Sequence, residues 1–431
     1  MADAGARARV AALVKRLAPG GSAAKQAEAA HALARLCTDN SRNKGYVRGC
    51  GGVVALVALL APGGAPAAQE QAAAALACLC HSNTRNQDSV RECGGVASLV
   101  ALLAPGGSAA VQEWAAAALG SLCIESAQKQ CAARACQDSV RACGGVAALV
   151  ALLAPGRSTG AQQQAASALV NLCNRNAQNQ DSVGACGGVA ALVALLAPGG
   201  SPAVQEWAAG ALAEVCGNNA RNRDCVRACG GVAMLVALLA PGRPAAVQDK
   251  AAGALNNLCV DACCQDSIRE CGGIAALVAL LAPGCSAAVH EQAAWTLCSL
   301  CRLNSRNQDS VRECGGAAAL VGLLAPGRSA AVREKAALAL FKLRREARPE
   351  LSQRAGVRGN CGAGWAAGAR RCGCCARAGR GGAGKPVLQE HPEAGQRAGV
   401  RGRRRAGSVA GARTACFCAG DGRQRAHDFD Q

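Results

Sequence analysis

The stretch NQDSVRECGGVASLVALLAPGGSAAVQEWAAAALGSLC, residues 86–123, contains three apolar-periodic segments separated by glycine breaks. The first segment, NQDSVREC, stops at Gly94-Gly95, and the second, VASLVALLA, stops at Pro105-Gly106. In the third segment Ser108 is a predicted N-cap. It is followed by an apolar stripe with helical spacing, formed by Val111, Ala115, Ala118, Leu119 and Leu122. We therefore predict three short helices in this stretch.

This stretch is one unit of an internal repeat. The triplet CGG begins at Cys50, Cys93, Cys143, Cys186, Cys229, Cys271 and Cys314, with spacings of 43, 50, 43, 43, 42 and 43 residues. The tetrapeptide LAPG recurs with the same rhythm. The long spacing marks an insertion in IESAQKQCAARACQ, residues 124–137, which we predict to lie in a loop. One unit cannot bury its apolar surfaces alone, so the units must stack.

Three helices in about 42 residues, with GGVAALVALLAPG and VQEWAAGALAEVC between Gly187 and Cys216, resemble armadillo repeats. The resemblance covers residues 6–343, as one partial repeat followed by seven full repeats, and it assigns residues 1–343 to one domain. It implies an all-α fold, a right-handed α-solenoid of stacked three-helix armadillo repeats. It also implies that the third helices line a long concave groove.

Composition agrees with a helical repeat protein. Of the 431 residues 51% are hydrophobic but only 2% are aromatic, so Ala and Leu must build the core. Closely packed helices tolerate such a core better than strands do. The start, MADAGARARV, has no signal-peptide core, and the longest apolar runs are about half a membrane span. We expect a soluble protein with no membrane span, cytoplasmic or nuclear, whose 28 cysteines are mostly reduced.

Residues 344–431 differ from the rest of the chain. Residues 349–431 carry 15 Lys and Arg against 6 Asp and Glu, and QRAGVRG occurs twice, at 353–359 and 396–402, 43 residues apart. A codon string for DSVRECGG, read from its third base, encodes QRAGVRG. Asn360–Arg370 decodes in the same way into TAALVGLLAPG. We interpret the tail as repeat-coding sequence translated out of frame, through a frameshift or a gene-model error.

The altered composition has two consequences. Gly and Arg replace the apolar stripe in residues 344–431, so we predict a disordered Gly/Arg-rich tail. The array would then be truncated, which predicts exposed apolar surface around Leu340 and Leu343.

Cysteine and histidine patterns predict no catalytic or metal site. Fourteen of the 28 cysteines end first or third helices, where a free thiol packs as a small apolar group. CSLC at 298–301 has metal-ligand spacing but lies within a predicted helix without a second pair. CGCC at 372–375 and CFC at 416–418 lie in the out-of-frame tail. The five histidines are scattered, and no nucleophile has a base beside it. We expect no cofactor and no enzyme activity.

Third-helix positions spaced 0, 3 and 7 share one face, and by the resemblance this is the concave face. Three of the four tryptophans fall on it. The candidate partner-binding residues are Trp114, Trp207, Trp295, Asn171, Glu214, Asn257, Gln164 and Lys250. In armadillo proteins that bind peptides, an Asn at the last position typically holds the ligand backbone, and Asn171 and Asn257 match that position. The alternative for the indoles is packing between neighbouring third helices.

These features favour a non-catalytic scaffold that binds an extended segment of a partner protein. The alternative is a nuclear-import adaptor resembling importin-α, which would bind basic localisation signals. The incomplete Asn and Trp pattern, together with Lys250, Lys335 and Lys342, argues against that alternative. Nucleic acid is not an expected partner despite the net charge of +19. The recurring arginines, at 91, 141, 227, 269 and 312, lie on first helices, where we predict a solvated surface.

Overall fold

The computed structural model describes residues 2–124 and 130–344, and every regular element in that part of the chain is an α-helix. Two helices, α1 (Ala2–Arg16) and α2 (Ala23–Cys37), form repeat 1. Seven groups of three helices follow as repeats 2 to 8. These helices belong to one compact unit.

Each full repeat contains two short helices and one long helix. The first helices are α3 (Ser41–Gly49), α6 (Thr84–Glu92), α9 (Gln130–Ala142), α12 (Ala177–Ala185), α15 (Ala220–Ala228), α18 (Ala262–Glu270) and α21 (Ser305–Glu313). The second helices are α4 (Gly52–Ala58), α7 (Gly95–Ala101), α10 (Gly145–Leu152), α13 (Gly188–Ala194), α16 (Gly231–Ala237), α19 (Gly273–Ala279) and α22 (Gly316–Gly322). The third helices are α5 (Pro66–Cys80), α8 (Ala109–Leu122), α11 (Thr159–Cys173), α14 (Pro202–Cys216), α17 (Ala245–Leu258), α20 (Ala287–Leu300) and α23 (Ala330–Leu343).

The third helices pack on one another in chain order, from α2 through to α23. Each first helix packs on the first helix of the next repeat, so the chain forms an α-solenoid of stacked three-helix units. The predicted apolar stripe of α8 is buried throughout, from Val111 to Leu122. Most of its counterparts in the other repeats belong to one continuous core cluster.

A Gly-Gly pair separates the first two helices of each full repeat. Its first glycine has a positive φ, and its second lies in a space too small for a side chain. Gly94 has φ 77°, in the left-handed region that favours glycine. Gly95 begins α7 in a confined space, where an added Cβ would lie 2.6 Å from Val90 Cγ1 and 2.9 Å from Val57 Cγ2. Val57 belongs to the preceding repeat, so this glycine allows two repeats to approach closely.

Two predicted helix boundaries are wrong by a few residues. The first helix begins at Thr84 rather than Asn86, because the Asn83 side chain caps it and accepts from the backbone N–H of Asn86 at 3.1 Å. The second helix ends at Ala101 rather than at the proline. There the backbone tightens, and Leu103 N donates to Val100 O at 3.1 Å. Ser108 does occupy the N-cap of α8, but its side chain makes no capping hydrogen bond.

The seven-residue insertion is not simply a loop. Residues 125–129 lie outside the described part, but helix α9 is 13 residues long where the other first helices have 9. The inserted segment is rich in Ala and its pattern is amphipathic, so it extends the helix backwards by one turn. Ala133 and Cys136 are buried, and Arg134 Nη1 donates to Arg175 O in the next repeat at 2.8 Å.

Buried polar side chains link the repeats. Asn222 on α15 donates to Gln180 O and Val215 O of the preceding repeat, both at 2.9 Å. On the third helices a recurring glutamine donates to the alanine carbonyl of its own LAPG turn, as Gln112 Nε2 does to Ala104 O at 2.7 Å. His290 takes this place in repeat 7, with Nε2 3.0 Å from Ala282 O. These bonds satisfy backbone groups at the helix ends that would otherwise be buried unpaired.

The predicted disordered tail lies outside the described residues, apart from Arg344. Exposed apolar surface does occur around Leu340 and Leu343, as expected, but these two side chains do not form it. Leu343 is buried and Leu340 is half-buried, because both side chains turn towards the core of their own repeat. Other apolar side chains of that repeat, such as Phe341, are exposed instead.

Candidate functional site: the third-helix surface

The positions spaced 0, 3 and 7 on the third helices form what we call the third-helix row. The position-0 residues of repeats 2 to 8 are Gln71, Trp114, Gln164, Trp207, Lys250, Gln292 and Lys335. All of them are exposed or half-buried. The position-7 residues, including Asn171, Glu214 and Asn257, are half-buried. The position-3 residues vary from buried Ala74 to exposed Trp295. The row is therefore a solvent-accessible strip on otherwise buried helices.

In repeats 1, 5 and 7 the position-3 residue lies beside the position-0 residue of the next repeat. His31 Nδ1 is 3.0 Å from Gln71 Oε1, and Lys335 Nζ lies 4.6 Å from the ring centroid of Trp295. A Cβ at Gly210 would meet Lys250 Cδ at 3.8 Å. The pairs place side chains of consecutive repeats side by side along the row.

The three tryptophans are in different surroundings. Trp114 is 37% exposed and Trp295 is 44% exposed, whereas Trp207 is half-buried and packs against the core. Trp295 also has one ring face covered by Lys335. Trp114 is thus the exposed indole that no cation covers. Trp207 packs against the core, and Trp295 forms a cation–π pair.

Asn171 and Asn257 each use one amide hydrogen within the protein. Asn171 Nδ2 donates to Gly120 O at 3.3 Å, and Asn257 Nδ2 donates to Ala213 O at 2.8 Å. Both acceptors lie on the preceding third helix. A carboxamide has two donors and an accepting oxygen, so each side chain retains hydrogen-bonding capacity towards solvent. The bonds hold the amides in defined orientations on the row.

The remaining candidates differ in charge and exposure. Gln164 is half-buried on α11, and Glu214 is half-buried on α14. Lys250 is exposed, with Nζ 3.2 Å from Asp249 Oδ2 on the same helix. Lys335 makes a similar pair with Glu334, at 2.9 Å. These pairs offset part of the positive charge that the sequence assigns to the row.

Glu113 is a charged residue that sequence reasoning missed. A Cβ added at Gly160 would lie 2.0 Å from Glu113 Oε2, so the carboxylate rests against the first turn of α11 in the next repeat. A helix N-terminus favours an anion at that place. The signal in the sequence is Gly160, which stands where most other repeats have alanine.

The recurring arginines of the first helices do not form a free basic surface. Arg91, Arg141, Arg227, Arg269 and Arg312 each pair with the aspartate three residues before them, at 2.6 to 3.4 Å. Several also reach the next repeat, as Arg269 Nη1 does to Asn307 Oδ1 at 3.1 Å. The prediction of a merely solvated surface is therefore corrected, because these arginines are paired within their helices, and Arg141 and Arg269 also bond to the next repeat.

The buried thiols are poorly suited to nucleophilic chemistry. Burial raises the pKa of Cys216 and Cys301 to about 12 and that of Cys136 to about 11. Thiolate, not thiol, is the reactive form. Of the predicted metal-spaced pair, Cys298 is half-buried and Cys301 is buried, and no cluster of three metal-ligating side chains occurs within residues 2–124 and 130–344. The cysteine motifs at 372–375 and 416–418 lie outside the described residues.

A cleft of about 420 Å³ lies away from the tryptophans, between the LAPG turns of repeats 6 and 7. It is lined by residues such as Arg243, Gln248 and Cys285. Gln248 is already bonded there to Ala240 O at 3.0 Å. Among the helices described, none is long and apolar enough to cross a membrane.

The stacking of three-helix units defines an α-solenoid repeat protein. The model of the Armadillo/beta-catenin-like repeat matches residues 134–174, 219–260 and 264–302, which correspond to repeats 4, 6 and 7. A crystal structure of an engineered protein from the Northeast Structural Genomics Consortium shares 30% identity and a TM-score of 0.68, covering 78% of each chain. The chain belongs to the armadillo repeat family.

Two further structures show the same fold over part of the array. A second engineered protein from that consortium is 30% identical with a TM-score of 0.52, covering 58% of this chain and 96% of its own. A designed armadillo repeat protein in complex with the peptide (KR)4 is 22% identical with a TM-score of 0.51, covering 58% and 99% respectively. No curated protein matches the chain.

Proposed function

We propose that the protein is a non-catalytic interaction scaffold that binds an extended segment of a partner protein along the third-helix row, the concave groove of the solenoid. The observation that carries this proposal is Trp114, which is 37% exposed in a chain with 2% aromatic residues. It stands on the same strip as Gln164 and Asn171. Tryptophan supplies large contact area, and amides can bind a peptide backbone.

The charge pattern of the row favours a partner segment of mixed character. Lys250 and Lys335 are paired with neighbouring acids, and Glu214 places a carboxylate on the row. The row therefore lacks a strong field of one sign. Apolar contact at Trp114 and backbone hydrogen bonds at the amides are the main attractive groups.

The second candidate function is an import adaptor for basic localisation signals. The designed armadillo protein bound to (KR)4 shows that this fold can hold a basic peptide, but at 22% identity it shares the fold alone. In this chain Lys335 already covers one face of Trp295 at 4.6 Å, where a ligand cation would otherwise stack. This contact favours the general scaffold over the adaptor. An intracellular location, cytoplasmic or nuclear, is part of either proposal.

Selection from a random peptide display library tests the scaffold proposal with the full-length protein. Peptides enriched on the unmodified chain are then measured against Trp114→Ala and Asn171→Ala. We expect each change to weaken binding about tenfold or more, the loss typical of a central contact. The matched control is Val54→Ala, which removes another exposed apolar side chain, 61% exposed, from a second helix away from the row.

Three outcomes separate the candidates. Peptides that bind equally well to Trp114→Ala and Val54→Ala would contradict the proposed site. Labelled (KR)4 that binds the unmodified chain and is lost on Trp114→Ala would support the import adaptor instead. Enrichment of peptides without a basic bias supports the general scaffold.

A further inference from the structure

The last repeat exposes an apolar surface that we call the C-terminal end face, formed by Val321, Leu324, Leu338 and Phe341. Their exposures are 56%, 38%, 43% and 58%. Val321 lies on α22 and Leu324 just after it, while Leu338 and Phe341 lie on α23. All four belong to repeat 8, whose neighbour on one side is repeat 7.

The same positions are covered in earlier repeats. The counterparts of Leu324 are at most 3% exposed, at Leu60, Leu103, Leu153, Leu196, Leu239 and Leu281. The counterparts of Val321 are buried or half-buried, at Val57, Val100, Val150, Val193, Val236 and Val278. The end face is therefore exposed because repeat 8 is the last of the described repeats. Leu324 and Val321 are the same residue types that a following repeat covers in repeats 2 to 7.

The covering group in earlier repeats is specific. Val278 inserts beside the second glycine of the next Gly-Gly pair, and a Cβ at Gly316 would lie 3.0 Å from Val278 Cγ2. The same contact recurs between Val57 and Gly95, at 2.9 Å. Val321 presents an equivalent side chain with no such glycine among the described residues.

The third helix of repeat 8 also has positions that elsewhere meet the next repeat. Phe341 occupies the place of Gly120, where an added Cβ would lie 3.1 Å from Ala168 Cα on the following third helix. Leu338 occupies the place of Trp295, which is covered by Lys335 of the following repeat. In the earlier repeats both positions therefore contact the third helix of the following repeat, and α23 has no such neighbour among the described residues.

Arg312 points to the same conclusion independently. Arg48, Arg141 and Arg269 each reach a side-chain oxygen on the next first helix, at 3.1, 2.9 and 3.1 Å. Arg312 instead turns to Leu343 O within its own repeat.

The other end of the array is polar. On α1 the residues Arg7, Arg9, Lys15 and Arg16 are exposed or half-buried, and no large apolar side chain in the described part of α1 and α2 is among the exposed ones. Terminal repeats of solenoids need a polar outer surface of this kind. Repeat 1 meets that requirement and repeat 8 does not.

The residues beyond repeat 8 can be encoded by codons that hold a matching unit in another frame. If one base is removed before codon 353, the Ser of the shifted SVRECGG falls 43 residues after Ser310. Its Gly-Gly pair then falls 43 residues after Gly315 and Gly316. The second QRAGVRG, at 396–402, continues the same period.

We propose that the C-terminal end face is a docking surface for a ninth armadillo repeat, encoded one base out of frame by the codons from about 345 onwards. The second glycine of that repeat receives Val321. Its third helix covers Leu338 and Phe341. The residues as written at 353–359 contain no Gly-Gly pair.

The test compares the full chain as written with the chain obtained by removing one base between codons 344 and 353. Amide hydrogen exchange of α22 and α23 is measured in both, each alone and with Val321→Ala. Val278→Ala is the matched control, because Val278 meets Gly316 in both chains. We expect base removal to slow exchange in α22 roughly tenfold, and Val321→Ala to reverse this in that chain only.

Other results overturn the proposal. Unchanged exchange after base removal would mean that no ninth repeat docks. An equal effect of Val321→Ala in both chains would mean that another occupant covers the face. Sedimentation at several concentrations would then identify a second copy. If neither alternative frame of the transcript encodes a unit like DSVRECGG, the proposed occupant does not exist.

Discussion

Glycine at the second position of each Gly-Gly pair is the residue that allows consecutive repeats to pack. At Gly188 an added Cβ would lie 2.6 Å from Val183 Cγ1, 2.9 Å from Val150 Cγ2 and 2.9 Å from Val183 O. Two of these contacts are inside the repeat and one is with the preceding repeat. The backbone oxygen cannot move away without disturbing the end of α12.

We predict that Gly188→Ala lowers the free energy of unfolding by about 1–3 kcal/mol, since the added methyl overpacks this contact. Gly45→Ala is the control, because that helical glycine has open space around it. It should stabilise by about 0.5–1 kcal/mol through helix propensity. Urea unfolding measures both changes. A neutral Gly188→Ala would show that the repeats can separate slightly at no cost.

Single buried asparagine side chains also connect consecutive repeats. Asn222 is 4% exposed and donates to carbonyls on two helices of the preceding repeat, α12 and α14. Replacing the amide with a methyl group removes both donated bonds from buried carbonyl oxygens.

We predict that Asn222→Ala costs about 1–3 kcal/mol of unfolding free energy. Arg221→Ala, at the exposed neighbouring position, should change it by less than about 0.5 kcal/mol. Denaturant titration of both variants against the unmodified protein checks the difference. Equal effects of the two changes would contradict a structural role for the amide.

At the scale of one element, the third helix combines a buried stripe with the strip that faces solvent. Trp207 on α14 lies at the boundary between them, half-buried and in contact with the core. Trp114 occupies the same position of the repeat on α8 but is 37% exposed. Trp207 therefore packs within the protein, whereas Trp114 is accessible for the partner contact that we propose.

We predict that Trp207→Ala lowers unfolding free energy by about 1–3 kcal/mol, through loss of partly buried aromatic contacts. Trp114→Ala should lower it by less than about 1 kcal/mol. Thermal unfolding followed by circular dichroism gives the comparison. A larger loss at Trp114 than at Trp207 would reverse the assignment of roles.

At the scale of the whole molecule, stability is a sum over repeats and their contacts with neighbours. Asn176 and Asn219 cap corresponding first helices 43 residues apart. Because each repeat contacts only its neighbours, removing one whole period preserves the register of the remainder.

We predict that deletion of residues 176–218 leaves an array with the same helical signal per residue. Deletion of residues 176–196, which removes α12 and α13 but keeps α14, is the control and should lower that signal. Circular dichroism measures both. Loss of helical signal in the first deletion would mean that the repeats are not interchangeable.

The cysteines give the array a dependence on alkaline pH. Burial raises the pKa of Cys37, Cys216 and Cys301 to about 12, from an ordinary value of about 8.5. Above about pH 8.5 the unfolded chain releases these protons while the native chain retains them. The unfolded state then binds fewer protons, so the free energy of unfolding falls as pH rises.

We predict that the contribution of these thiols to the free energy of unfolding is constant below about pH 8. It should decrease between about pH 8.5 and 12. Urea unfolding at several pH values gives the slope. Cys216→Ala should make that slope shallower, whatever its effect at neutral pH. An unchanged slope would mean that other groups dominate the alkaline loss.

Much of this architecture follows from local sequence. The repeat of CGG and LAPG is enough to predict three-helix units, because Gly-Gly and Pro-Gly stop helices wherever they occur. The buried stripe on α8 also follows from helical spacing alone. Helix ends are less predictable, since the cap at Asn83 and the tightened turn after Ala101 depend on side-chain and backbone bonds that spacing does not encode.

The sequence by itself determined the fold class, the repeat register and the positions of the third-helix row, all consequences of periodicity along one chain. Tertiary structure alone decided which residues are accessible. Stacking leaves Trp114 exposed but draws Trp207 towards the core, and it covers Trp295 with Lys335. It also buries Leu343 while leaving Val321 and Phe341 uncovered. The physical reason is that burial in a solenoid depends on the neighbouring repeat, which lies about 43 residues away in the sequence.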